Sequence, residues 1–295
     1  LLPGFGDKLA VDSTEIKAYA NGHRPKPADS DARWGAKGAS HKASQAGVSE
    51  ANGKKLREKK RDTYYWFGYK LHMVVDALYE LPVSFTVTPA NEADTGQMPD
   101  LLKKAGADHE ETKPQAVIAD KGYDGRINYQ FIWSQCKSVP IIPIRERAGE
   151  QLPDICNGKG TPSCSCGLDM VYWGKDGNYL KYRCPHALGK AECKSRFRCT
   201  SSAYGYVLKL PIADNPRRHP PVPRETKKWQ RLYRMRTAIE RVNSRVKELL
   251  GLDKLTVRGI SKVTIKIIMS LLVMLSVGVG MAQRHRFKEL RGLVT

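Results

Sequence analysis

Apolar residues fall into short runs up to about residue 145 and return in helical spacing after residue 225. Lys8 to Ile16 reads as a strand near the surface end of a core. Tyr65 to Val75 and Leu81 to Thr88, rich in Tyr, Val and Phe, read as two strands. The turn Asp76 to Glu80 joins them as a hairpin. Asp94 to Ala105 has a helical pattern. Ala116 to Asp120 is a short apolar strand ending in an acid, a helix follows from Arg126 to Gln135, and Val139 to Ile144 is a further buried strand. Strands alternating with helices predict a mixed α/β sheet.

Two stretches interrupt this pattern. Asn21 to Asp62 is poor in apolar residues and rich in Gly, Ala, Ser and Lys, which predicts a long mobile loop. Arg145 to Arg224 is rich in Gly, Pro and Cys, with short strand-like pieces such as Asp169 to Trp173, and reads as an inserted subdomain. Helical periodicity then runs from Glu225 to Leu250 and from Ser261 to Ala282. The sixteen-residue uncharged run from Ile267 to Ala282 is short of the roughly 20 residues needed to span a bilayer. It reads as a buried core helix in preference to a membrane segment. The chain thus divides into residues 1–145, the first part of a core carrying the basic loop 21–62, a Cys-rich insertion at 146–224, and a second core part with C-terminal helices at 225–295.

Charge changes the picture from fold to partner. Fifty Lys and Arg stand against 30 Asp and Glu, a net charge of +20. A balance of this size points to a polyanion, with nucleic acid ahead of an anionic membrane surface. Residues 217–262 hold 14 Lys and Arg against four acids, so this window alone carries +10. A second basic run spans Lys54 to Arg61. Two basic zones fit a polyanion crossing the protein at defined places. No secretory signal is visible and residue 1 is Leu, so the front end reads as processed and the location as cytoplasmic.

Three acids stand where a catalytic site could be built. Asp12 lies in the first strand, Asp120 ends a central strand, and Glu240 lies on the long basic helix. Ligands of α/β sheets gather at strand ends. Taken singly, Asp12 and Asp120 read better as loop caps and Glu240 as a solvated helix residue; the combination of the three shifts the reading toward a site. On a regular helix, Tyr233, Arg236, Glu240 and Lys247 would share a stripe about 60° wide. Such a stripe suits a metal-bound phosphate; it also suits an Arg236–Glu240 salt bridge on a solvated face. Lys121 follows the second acid directly. Lys70 and His72 share one side of a strand, either for phosphate contact or as a water-facing polar edge.

The spacing Tyr-(2)-Arg-(3)-Glu-(6)-Lys at Tyr233, Arg236, Glu240 and Lys247 resembles the signature of bacterial insertion-sequence DDE transposases. Val11 to Thr14, Ala119 to Asp124, Tyr69 to His72 and Thr88 to Asp94 resemble other stretches of that group. The resemblance covers nearly the whole chain. It implies an RNase H-like fold with the insertion just before the Glu-bearing helix. It also implies two Mg²⁺ or Mn²⁺ ions per active site on Asp12, Asp120 and Glu240, and DNA contacts from Tyr233, Arg236, Lys247 and Lys121. The partner would be double-stranded DNA, both element ends and target, bound by a homodimer. An RNase H-like nuclease that cuts without joining, and an inactive DNA-binding derivative, are the alternatives.

Six of seven Cys lie between Cys156 and Cys199. Clustering of this kind favours metal over disulfides. Cys164, Cys166, Cys184, Cys193 and Cys199 are candidate ligands of one structural Zn²⁺, with Cys156 and His186 also available. Unligated thiols in a small β insertion are the alternative.

Overall fold

The computed structural model describes residues 2–38, 63–109, 113–145, 156–157, 160–194, 199–212 and 215–292. The basic run Lys54 to Arg61 lies outside them. The first half contains β1 (Lys8–Lys17), β2 (Arg33–Gly38), β3 (Thr63–Asp76), β4 (Pro82–Pro89), α1 (Asp94–Asp108), β5 (Ala116–Ala119), α2 (Arg126–Gln130) and β6 (Val139–Ile141). These strands form one sheet in the order β2-β3-β1-β5-β6, with β4 also paired to β3. β3 is long enough to serve two partners on one edge, β2 along its first half and β4 along its second. β1 runs antiparallel to β3 and parallel to β5, which is parallel to β6. The result is an RNase H-like mixed sheet flanked by helices.

Strand alternation sorts the core into two faces. Leu9, Val11, Val74, Val117 and Ala119 pack under Met98, Leu101 and Leu102 of α1 and under Tyr129 and Ile132. Ala10, Leu71, Met73, Val75 and Ile118 pack on the opposite face. Their cover comes from α4 (Thr237–Ser244) and α5 (Ile260–Gln283), which follow α3 (Lys227–Arg234) in the chain. Between the two halves lies a separate sheet, β7 (Val171–Asp176), β8 (Tyr179–Arg183) and β9 (Val207–Pro211), in that order. Its own small core holds Cys164, Met170, Leu180, Tyr182 and Ile212.

Four expectations are corrected. The polar stretch 21–62 is not all loop, because Arg33–Gly38 pairs with β3. Gly35 permits this: a β-carbon there would sit 2.6 Å from the Trp66 ring. The Glu225 to Leu250 helix is broken into α3, α4 and a wide turn over Arg245–Leu249. At the break, Met235 N–H donates to the Leu232 carbonyl and Arg236 N–H to the Tyr233 carbonyl, a tightened step of three residues. The basic window 217–262 does not face outward as a whole. Arg217, Arg218, Arg224 and Arg245 are buried. Arg217 clasps Asp124 at 2.9 and 2.7 Å, and Arg224 bonds the Ile142 carbonyl and the Tyr129 hydroxyl, tying this segment to the sheet.

Finally, α5 is buried on one face only. Val263, Ile267, Leu271 and Met274 meet the core, whereas Ile265, Met269, Leu272, Val273 and Val279 are exposed. By length and composition this 24-residue helix could cross a membrane. It is apolar nearly all round, so its pattern could not tell the inner face from the outer.

Candidate active site

β1 and β5 lie side by side in parallel register, Val11 beside Ala119. The next step along both strands brings Asp12 alongside Asp120. Both share the face of Ala10 and Ile118, because side chains alternate along a strand. That face is covered by α4 through Ile239 and Val242, so the two acids open beneath the helix that carries Glu240.

Local hydrogen bonds fix the two aspartates. Asp12 Oδ1 accepts the Ser13 N–H at 2.8 Å. Asp120 caps the single helical turn Lys121–Tyr123, its Oδ1 accepting the Gly122 N–H at 2.7 Å. A β-carbon at residue 122 would lie 2.9 Å from that oxygen, so glycine suits the turn. Asp12 is pushed up to about 7, first by burial and then by Asp120. The Ser13 N–H, Arg236 and Lys37 pull the other way. Two carboxylates side by side at a partly dry strand end cannot both ionise cheaply.

Arg236 sits at the centre. One guanidinium nitrogen lies 3.8 Å from Asp12 Oδ2, and another lies 2.6 Å from Glu240 Oε1. Its guanidinium stands 5.9 Å from the Tyr233 ring centre, and Tyr233 stacks on Trp229 at 4.9 Å. Burial raises the Tyr233 hydroxyl, Arg236 opposes, and Asp120 adds to the rise, which places that hydroxyl near the acids. Asp12, Asp120, Tyr233, Arg236 and Glu240 therefore meet in one place. Trp229, the platform under Tyr233, is an addition to the residues read from sequence. Its signal was present, since two aromatics four apart on a helix stack.

Three candidate phosphate ligands are placed otherwise. Lys70 and His72 lie on the opposite face of the sheet from the acids, in line with Val74. Lys70 Nζ is spent on the Glu92 carbonyl at 2.7 Å and Asp94 at 2.9 Å. His72 is fully buried, its Nε2 2.9 Å from Thr88 Oγ1. Burial holds His72 down to about 4, with Asp94 opposing and Lys70 assisting, so the ring is neutral at pH 7. Both expectations of phosphate contact are corrected, because buried strand polarity looks like exposed strand polarity in a sequence. Lys247 lies in the wide turn after α4 and pairs with Glu15 at 3.0 Å and Asp253 at 3.5 Å, tying that turn to β1. Lys121 is exposed beside Asp120.

Among the described residues, no group of three or more His, Cys, Asp or Glu side chains is gathered as a ready metal shell. Donor chemistry nonetheless favours a hard cation. Asp12 and Asp120 offer only carboxylate oxygens, the ligands that select magnesium or manganese over softer ions. The upward shift of Asp12 comes first from burial and then from Asp120 beside it, so its ionised form is held at a cost that a bound cation would relieve.

A family model described as a transposase DDE domain matches residues 3–276. No curated protein and no solved structure matches the chain.

Proposed function

Because the chain belongs to the transposase DDE domain family, we propose that it is a divalent-metal-dependent enzyme that cuts insertion-sequence ends and joins them to target DNA. The observation that carries the reading is the meeting of Asp12 and Asp120 across β1 and β5 under Arg236 and Glu240.

Asp12 and Asp120 would hold the metal, with Glu240 as the third carboxylate once its oxygen exchanges Arg236 for the cation. Two Mg²⁺ or Mn²⁺ ions bound there would polarise a phosphodiester and activate water. In the first step a water oxygen bonds to phosphorus, the bond to the 3′ oxygen breaks, and a 3′ hydroxyl is left. In the second step that hydroxyl's oxygen bonds to the phosphorus of another phosphodiester while that phosphorus loses its bond to its own 3′ oxygen, which leaves as a new 3′ hydroxyl, so the same chemistry serves cutting and joining. Arg236, released from Glu240, is the group best placed to take a phosphate oxygen, and Lys121, exposed next to Asp120 in the chain, is a second candidate. Tyr233, backed by Trp229, presents a ring on which a displaced base can stack. Double-stranded DNA is the substrate, a homodimer the working form, and the bacterial cytoplasm the location.

The test is a labelled duplex of the element's own end, incubated with the protein and magnesium. Strand-transfer products from wild-type protein support the reading. Hydrolysis alone, with no joined product on any target DNA, would replace it with a nuclease that cuts without joining.

A further inference from the structure

The Cys-rich segment takes no part in the chemistry above, yet its thiols are not scattered. All seven cysteines are free. Three are set apart by position. Cys164 is buried in the small core with Met170, Leu180 and Tyr182. Cys156 forms a β-bridge with Pro162. Cys136 lies in the main domain, beside Leu9 and Leu102.

The other four lie in two groupings that share one thiol, although their side chains are not drawn together as a ready metal shell. Cys166 Sγ and Cys199 Sγ are 3.2 Å apart, although 33 residues separate them in the chain. Cys199 also lines a cleft of about 520 Å³ with Cys184, Cys193 and His186. Cys199 is thus common to both groupings. The turns that deliver these thiols are built for close approach. Gly167, at φ +74°, closes the Cys164–Gly167 turn with its N–H on the Cys164 carbonyl at 2.8 Å. Gly205, at φ +85°, lets its loop pass Cys184; a β-carbon there would lie 3.2 Å from the Cys184 β-carbon. Cys184 N–H is bonded to the Tyr206 carbonyl at 2.9 Å. The Cys193 N–H reaches His186 Nδ1 at 3.4 Å, which turns the imidazole toward its own loop.

We infer that Cys166, Cys184, Cys193 and Cys199 form a structural Zn²⁺ site that ties three loops of the insertion together. Four thiolates at about 2.3 Å make a tetrahedron with edges near 3.8 Å. The Cys166–Cys199 separation is already within about half an ångström of such an edge. As the ion binds, each thiol gives its proton to solvent and each sulfur forms one bond to zinc, with no change of oxidation state. The site pins the loop that carries Tyr204. That ring lies 3.4 Å from the Arg183 guanidinium, which also stacks 4.5 Å from Trp173. Two exposed rings, Trp173 and Tyr204, flanking the buried Arg183 are thereby held in shape.

The test is zinc content of the full chain grown in zinc-supplemented medium and purified without chelator. One zinc per chain is expected in wild type and in Cys136→Ser and Cys156→Ser. Cys166→Ser, Cys184→Ser, Cys193→Ser and Cys199→Ser should each lose most of it. If those variants fail to fold, wild type decides by itself: native mass spectrometry should show the one-zinc form, and chelation should speed hydrogen exchange over residues 199–206. Metal-free wild type, zinc retained without Cys166 and Cys199, or a Cys166–Cys199 disulfide in protein purified under reducing conditions would each overturn the inference. Because none of these readouts uses DNA, failure here leaves the proposed transposition chemistry to be judged separately.

Discussion

The segment from Arg236 to Arg245 presents two arginine–carboxylate clusters a turn apart, and they are balanced in opposite ways. Near its end, Arg241 and Arg245 converge on one fully buried acid, Glu80. Arg241 Nε donates to Glu80 Oε1 at 2.8 Å, and Arg245 takes Oε2. Two cations there serve one anion. Near its start, the single guanidinium of Arg236 serves Asp12 and Glu240, with Asp120 beside them. In the first cluster Glu80 and Arg245 are buried, and Arg241 closes it from the solvent side. The second is half-open and short of positive charge. A fold holds itself together with the first kind of arrangement. The second costs stability, and it makes chemical sense only if a cation or a phosphate joins it.

Removal of Glu80 should have the largest effect. Glu80→Gln keeps the shape but leaves Arg245 buried without its anion, which should cost about 3–5 kcal/mol. Urea unfolding measures it, and a loss below about 1 kcal/mol would show that the cluster is not structural. Asp12→Asn should act in the opposite sense. The folded chain binds the Asp12 proton more tightly than the unfolded chain, with a value of about 7 against 3.8. The resulting stability is present below pH 4 and is lost as pH rises through 7. At pH 8 without divalent metal, the asparagine variant should therefore exceed wild type by up to about 4 kcal/mol, and the gap should close toward pH 4. Magnesium should then raise the melting temperature of wild type more than that of the variant. An Asp12→Asn protein less stable than wild type at pH 8 would contradict the charge imbalance.

A smaller effect sharpens the role of Arg236. Its pair with half-exposed Glu240 is worth at most about 1 kcal/mol, so Arg236→Ala should unfold nearly as wild type does. Its DNA affinity should fall, with the salt slope of binding reduced by about one. An unchanged slope in gel-shift titrations at two salt concentrations would leave Arg236 as a salt-bridge partner only.

Much of this contrast was legible in the residues, but not all. Alternation along Lys8 to Ile16 puts one acid within the first strand, the apolar run Ala116 to Ala119 puts another at its end, and parallel pairing then makes them neighbours. Glu80 gave no such sign. It sits in a turn with φ 60°, and its arginines are 161 and 165 residues away. Charge counting shows that residues 217–262 are basic; it cannot show that Arg217, Arg224 and Arg245 turn inward, because that depends on distant acids and carbonyls. The break at Met235 is equally silent, since Arg, Met and Thr are tolerated in a continuous helix. The outward face of α5 was hidden because both its faces are apolar.

Under the proposed function Glu240 belongs to a catalytic cluster and is not merely the partner of Arg236 on a helix surface. Glu240→Gln decides it, measured as cleavage of a labelled end duplex with magnesium alongside urea unfolding and gel shift of the same preparation. Cleavage should fall about a hundred- to a thousandfold, the scale on which removing one preorganised charge-stabilising group acts. Stability should stay within about 0.5 kcal/mol of wild type, with DNA binding nearly intact. A folded Glu240→Gln protein that still cuts the duplex would contradict it.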